Sequence, residues 1–181
     1  MTGHKSAPQQ FRSATLADVD AIVAVVQSAY RGAASRQGWT TEADLLDGQR
    51  TDATEVSTLI AAPASRILVG EQGDALLATA HLKQHDGVCH FGMFAVRPGL
   101  QGHGLGRRIL AEAERIACED WNCREMQMLV ITLRSELIAW YERRGYRRAG
   151  TYKPFPYGDV RFGIPKRNDL QLEVLSKSIV R

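Results

Sequence analysis

In the stretch Phe94 to Arg108, FAVRPGLQGHGLGRR, an apolar run ends at Pro98 and a cluster of glycines opens a helix. Upstream, Val88 to Val96 is rich in Val, Phe and Met and suits a strand. Downstream, Ile109, Leu110, Ala113, Ile116 and Ala117 recur at helical spacing, with Arg108 and Glu112 four apart on the polar side. Gly99, Gly102, Gly104 and Gly106 lie between them and, lacking Cβ, let backbone amides come close to a ligand. The first turn of a helix presents unpaired N–H groups at the positive end of its macrodipole, so strand, turn and helix together form an anion cradle. Arg107 and Arg108 add fixed positive charge.

Spacing separates three known cradles. A P-loop requires Gly-Lys followed by Ser or Thr, whereas Gly106 is followed by Arg107 and Arg108. A dinucleotide-binding turn requires its third glycine three residues after the second, where Arg107 stands. The pattern that remains is Gln101, Gly104 and Gly106 after a strand ending in Val96, Arg97 and Pro98. It resembles the pyrophosphate loop of the GNAT superfamily of acyl-CoA N-acyltransferases, in which Gln or Arg, two residues, Gly, one residue, and Gly or Ala follow such a strand.

The rest of the chain bounds the possibilities. Its 181 residues suffice for one domain with one core. A 44% hydrophobic and 24% charged composition is that of a soluble globular protein. No apolar run approaches 18 residues and no signal peptide is visible, so a cytoplasmic protein without a membrane partner is expected. Cys89, Cys118 and Cys123 are an odd count without paired CxxC spacing, which predicts reduced thiols and no metal. The net charge is only +3, yet arginines pair at 107/108, 143/144 and 147/148. That balance is too mild for nucleic-acid binding and suits a small polyanion. Arg143 and Arg144 equally suit a solvated helix end, where the dipole favours cations.

Residues 1 to 10 read as a tail and 11 to 181 as a single domain. Phe11 to Ala14 is a short strand, and Thr15 caps a helix whose apolar face holds Leu16, Val19, Ile22, Val23 and Val26, ending near Tyr30 and Gly32. Thr41 to Leu46 reads as a short helical piece, and Ala53 to Ala61 as a helix stopped by Pro63. Arg66 to Glu71 and Ala75 to Lys83 form a hairpin, and Asp86-Gly87 turns the chain into the strand at Val88. A strand at Glu125 to Ile131, a helix from Arg134 to Arg144 and a strand from Tyr146 follow the glycine-rich turn. Pro154, Pro156 and Pro165 with Gly158 and Gly163 predict an irregular excursion, and Leu170 to Lys177 alternates as a last strand.

This element order is similar to the GNAT fold over roughly Phe11 to Lys177: a mixed, mostly antiparallel central sheet of about seven strands flanked by helices on both faces. A second matching segment is Ala139 to Gly150, AWYERRGYRRAG, where Tyr141 is followed at family spacing by Gly145 and Tyr146. The resemblance implies an acetyl-CoA-dependent N-acetyltransferase acting on a primary amine, of a small molecule or peptide, by direct attack in a ternary complex. Acetyl-CoA is then contacted by Phe94, Ala95, Val96, Gln101, Gly102, His103, Gly104, Leu105, Gly106, Arg107 and Arg134. In the family the tyrosine matched by Tyr141 sits by the sulfur of coenzyme A as general acid; Tyr141 also belongs to the buried stripe of its helix, and the two are compatible. His90 stands on the strand before the loop, where some members carry a base, and an imidazole near its reference pKa of about 6.5 can accept a proton; a sheet-edge histidine is the alternative. The sequence departs from the family at Arg134, where an Asn often contacts the pantetheine arm, and at Leu137, where a small residue is common. Loops corresponding to residues 33 to 50 often shape the family's substrate site. A catalytically silent acyl-CoA-binding module keeps the same loop, and a homodimer is left open.

Overall fold

The computed structural model describes residues 9–180. Apolar alternation and helical spacing give, in order, β1 (Gln10–Ser13), α1 (Val19–Tyr30), α2 (Gly32–Ser35), β2 (Leu46–Asp47), α3 (Ala53–Ala61), β3 (Ser65–Gln72) and β4 (Ala75–His85). There follow β5 (Val88–Val96), α4 (Leu105–Arg115), β6 (Glu125–Ile131), α5 (Ser135–Glu142), β7 (Arg147–Pro154), β8 (Ile164–Pro165) and β9 (Gln171–Ser178). Seven strands form one sheet in the order β1-β3-β4-β5-β6-β9-β7, and β2 pairs with β8 in a separate two-stranded sheet. Every neighbouring pair is antiparallel except β5 and β6. No helix among the described residues is long and apolar enough to cross a membrane.

Two cores cover the two faces of the sheet. On one face α1 and α3 pack Ile22, Val25, Val26 and Val56 against Ile67, Val69, Met93 and Ala95. On the other, α4 and α5 pack Ile109, Leu110, Ala113, Ile138 and Tyr141 against Leu68, Leu82, Phe91, Met126 and Leu175. Continuing α4, a π-helical turn at Ile116–Asp120 keeps Ile116 and Ala117 buried, as the helical spacing predicts. Leu46, Ile131, Phe155 and Leu170 form a third, smaller core joining the 33–50 loop to the 154–168 excursion.

The differences from expectation are local. Gln10 already belongs to β1, while residues 1–8 of the expected tail lie outside the described residues. Thr15 begins a 3-10 turn, Leu16–Asp18, before α1; the tighter turn changes the helical phase and leaves Leu16 exposed while Val25 is buried. Thr41 to Leu46 is not a helix. Long-range bonds hold it instead, with the Glu42 N–H donating to the Tyr30 carbonyl and the Lys166 N–H to the Leu45 carbonyl, so Leu46 becomes a strand residue. Arg134 precedes α5 as its N-cap.

Ile109 is fully buried where α4 meets the sheet. Ile109→Ala should therefore lower unfolding free energy by about 2–5 kcal/mol through lost transfer energy and a residual cavity. An unchanged urea midpoint would contradict this packing.

Candidate active site

The site begins with an interrupted ladder. β5 and β6 pair in parallel only at Val88↔Glu125, Cys89↔Met126 and His90↔Gln127, after which β6 continues its pairing with β9 and the β5 edge stands open. On its other side β5 carries a bulge against β4: His81↔Gly92 and Thr79↔Ala95 are consecutive partners with Met93 and Phe94 set against Ala80. Met93 has φ 45°, a left-handed conformation unusual for a side-chain-bearing residue, and its side chain is anchored in the α1 core. After the bulge the Arg97 N–H donates to the Leu77 carbonyl at 2.9 Å, so Ala95 and Arg97 turn their backbone groups toward β4. By the strand's period of two, Phe94 and Val96 turn theirs to the open edge. The Phe94 carbonyl there accepts from the Tyr30 hydroxyl, and the Val96 carbonyl from Gln101 Nε2 at 3.0 Å.

Two cavities flank this edge. The larger, about 680 Å³, runs from Phe94 and Val96 past Gly102, Gly104 and Gly106 to Trp140, Arg143 and Arg144. The smaller, about 220 Å³, is bounded by Glu42, Arg134, Tyr141 and the apolar side chains of Met93, Ile131 and Phe155. Tyr30, Phe94 and Leu137 line both, so the cavities meet at Phe94.

The far end of the larger cavity is built for an anion. Gly102 and Gly104 take φ 85° and 82°, so an L side chain at either would be strained although the space beside each is open. Gly104 is the N-cap of α4 without a side-chain cap, and the first turn holds no acidic residue. The Arg108 N–H makes the first helical bond, to the Gly104 carbonyl at 3.1 Å, leaving the N–H groups of Leu105, Gly106 and Arg107 without an acceptor among the described residues. Helix starts usually carry acids; this one carries Arg107 beside the cavity. Across it, the Arg144 guanidinium lies 3.5 Å over the Trp140 ring. Burial, then Arg143 and Arg107, push its pKa down, and its Nε is buried without a partner. Three guanidinium groups and a bare helix start fit a polyanion such as the diphosphate of coenzyme A.

Seven of the expected donor-binding residues are brought together along this cavity: Phe94, Val96, Gln101, Gly102, Gly104, Gly106 and Arg107. Ala95 is not available, since its backbone faces β4 and its side chain is buried against α1. Leu105 turns into the α4 core, and His103 lies exposed with Nδ1 3.1 Å from the Gln101 carbonyl. Gln101 lines the cavity, but its amide is fully used: Oε1 accepts from the Trp39 N–H at 3.0 Å and Nε2 donates to Thr40 Oγ1 at 2.8 Å and to the Val96 carbonyl. Gln101 thus fastens the 38–40 loop over the site.

Arg134, expected beside the donor, lines the smaller cavity instead, donating to Glu42 Oε1 at 2.9 Å and to the Thr40 carbonyl. Tyr141 also lines that cavity, buried, with its ring 6.5 Å from Phe94 and its hydroxyl without a hydrogen-bond partner among the described residues. Burial holds its pKa well above 10, so it keeps its proton. His90 lines neither cavity. Its backbone is paired on both sides, to Lys83 and Gln127, before the ladder opens, and burial, then Lys153 and His85, lower its pKa below 6.5. Sequence reasoning missed Tyr30, Arg31, Glu42 and Trp39. They reach the site through long-range contacts, and only the placement of loop 33–50 near a substrate site pointed toward them.

Gly104→Asp would combine a strained φ with a negative charge at the cradle. Coenzyme A affinity, measured by calorimetry, should fall at least 100-fold with the fold retained; unchanged affinity would remove the cradle from the donor site.

The model of the acetyltransferase (GNAT) family matches residues 26–146. No curated protein matches the chain in sequence. Among solved structures, the ribosomal-protein-S18-alanine N-acetyltransferase from Escherichia coli is similar with a TM-score of 0.70 at 17% identity, covering 96% of each chain. An N-acetyltransferase from Staphylococcus aureus Mu50 has a TM-score of 0.71 at 10% identity, over 96% of this chain and 99% of its own. The spermidine/spermine N-acetyltransferase from Vibrio cholerae reaches 0.67 at 13%, over 94% and 92%. At these identities the likeness concerns the fold. The family match, spanning the open β5 edge, the cradle and Tyr141, gives the assignment: the chain belongs to the acetyltransferase (GNAT) family.

Proposed function

We propose that the protein transfers an acetyl group from acetyl-CoA to a primary amine by direct attack in a ternary complex. The observation that carries this is the meeting of a large, cation-lined cavity and a small one at Phe94, on the open edge of β5. Such a junction lets donor and acceptor enter from opposite ends and react without a covalent enzyme intermediate. Acetyl-CoA, when bound, supplies an activated thioester carbonyl and a thiolate leaving group.

The chain's own groups then divide the work. The α4 amides with Arg107, Arg143 and Arg144 hold the phosphates, and the edge groups of Phe94 and Val96 orient the pantetheine arm. The Phe94 N–H, fixed by the bulge, stabilises negative charge developing on the acyl oxygen; a preorganised donor of this kind is worth about 3–4 kcal/mol. Tyr141 donates its hydroxyl to the departing sulfur. A phenol held above its ordinary pKa is a weak acid toward a thiolate of pKa about 8.5, so hydrogen bonding contributes as much as full proton transfer.

No free carboxylate serves as base in the small cavity. Glu42 is its only acid, and although burial opposes ionisation, Arg134 and Arg31 hold its pKa below the usual value. On this reading water in the cleft is the proton acceptor, and His90, expected from the sequence as the base, lines neither cavity. The small-molecule or peptide nature of the amine belongs to this proposal as well; the similar structures include proteins named for a ribosomal-protein alanine and for spermidine.

Tyr141→Phe keeps the ring and deletes the hydroxyl. Turnover should fall by about 100-fold or more while acetyl-CoA affinity stays near wild type, since an interaction made only in the transition state is absent from ground-state binding. Wild-type turnover would return Tyr141 to a packing role.

The pH profile gives a separate check. With water as acceptor, kcat/KM should rise with pH along the titration of the free amine and should not fall from Tyr141 ionisation at or below pH 10, because the raised pKa keeps that hydroxyl protonated. His90→Ala should leave this profile in place. A wild-type inflection below 6.5 that disappears in His90→Ala would restore the histidine as base.

A further inference from the structure

The small cavity has an excess of positive charge that the transfer chemistry does not use. Arg31, Arg50 and Arg134 line it against the single carboxylate of Glu42, a net of two positive charges. Both Glu42 oxygens are already engaged: Oε2 accepts from Arg31 Nη1 at 2.5 Å and Oε1 from Arg134 Nη1 at 2.9 Å. Arg31 is 3% exposed, and its Nε is buried with no partner. Arg50 is half-buried, its guanidinium carbon 5.7 Å from the Tyr30 ring centroid; its backbone N–H donates to Gln27 Oε1, while its guanidinium has no carboxylate or hydrogen-bond partner among the described residues. Its charge reaches inward: burial raises the pKa of Tyr30 and Arg50 opposes that rise, second to Arg134 among the arginines, while at Glu42, against burial, Arg50 adds to the lowering by Arg134 and Arg31.

Burying cations beyond their counterions is unfavourable unless a ligand supplies the missing anion. Apart from the hydroxyls of Tyr30 and Tyr141, the rest of the wall, Leu46, Met93, Phe155 and Phe162 among others, is apolar and offers no alternative counter-charge. A polycationic acceptor would enter this field against repulsion, whereas a carboxylate would find the Arg50 guanidinium unpaired, with Arg31 and Arg134 on the same cavity wall already paired to Glu42. At about 220 Å³ against about 680 Å³ for the donor side, the cavity has room for a small molecule rather than a folded protein surface.

Resting on the acetyl-transfer reading above, we infer that the acceptor is a small amine that also carries an anionic group, of the amino-acid type, with Arg50 as the residue that meets the anion. Attack by the neutral amine on the acetyl carbon forms the C–N bond of the amide as the C–S bond breaks; the thiolate takes a proton from Tyr141 or water, the amine's proton passes to water, and Tyr141 regains its proton from that water. The anion takes no part in bond making; it positions the amine below Phe94.

The test pairs each acid with its decarboxylated counterpart: L-methionine, L-phenylalanine, L-leucine and L-valine against the corresponding amines, with spermidine as a polycation. Release of free thiol from acetyl-CoA is measured for wild type, Arg50→Gln and Arg50→Lys. The inference predicts that the best acceptor is an acid, that its counterpart has kcat/KM at least 100-fold lower, and that Arg50→Gln collapses this ratio at least 10-fold while Arg50→Lys restores part of it. A preference for the amines or spermidine, or an unaltered ratio in Arg50→Gln, overturns it. If no member is turned over, calorimetry of the four acids against the coenzyme A complex decides: binding weakened at least 10-fold by Arg50→Gln supports the inference, and no binding overturns it. Loss of the acceptor inference alone leaves coenzyme A binding and turnover of cationic amines intact, whereas failure of the acetyl-transfer reading shows as absence of coenzyme A binding itself.

Discussion

The parallel pairing of β5 with β6 lasts three residues and then stops, and the site depends on that interruption. Unpaired backbone groups away from water cost about 1–3 kcal/mol each, so an open edge in the middle of a sheet needs other partners. Two side chains supply them: the Tyr30 hydroxyl for the Phe94 carbonyl and the Gln101 amide for the Val96 carbonyl. The edge N–H groups of the same residues have no partner among the described residues. The bulge at Met93 fixes which residues face the edge, and the α1 core that buries Met93 holds the bulge in place.

Charge follows the same geometry. The chain's net charge is only +3, yet arginines gather at both cavities, three at the outer end of the larger and three around the smaller. The two groups differ in construction. Arg107 and Arg143 border an open cradle beside a bare helix start, which presents several partial positive charges rather than one fixed partner. Arg31 and Arg134 are locked on Glu42, so their orientation is set before any ligand arrives. Through the Thr40 carbonyl, Arg134 is also tied to the loop that Gln101 fastens, which couples the walls of the two cavities.

The glycine-rich turn and much of the lining of the larger cavity were legible because their signals are local. Glycines at 102, 104 and 106 with arginines after them specify a turn, a helix start and a charge within seven residues, and Tyr141 stands at fixed spacing from Gly145 and Tyr146. The sheet was legible for the same reason, from hairpin turns and alternation. The smaller cavity was not. Glu42 reads as one residue of a short helical piece, yet it is placed by its bond to Tyr30 and by β2 pairing with β8, more than a hundred residues away. Arg134 matched a donor-contact position, and only its pairing with Glu42 moves it to the other cavity. His90 has a suitable residue type at a suitable distance in sequence, but the ladder is still closed where it stands.

Hydrogen exchange of the backbone amides with and without coenzyme A tests the donor geometry most directly. The N–H groups of Gly102 through Arg107 should gain protection when the phosphates bind, together with those of Phe94 and Val96 on the open edge, while Ala95, already facing β4, should change little. Protection confined to other segments, or none at Gly102 to Arg107 under saturating coenzyme A, would contradict the account.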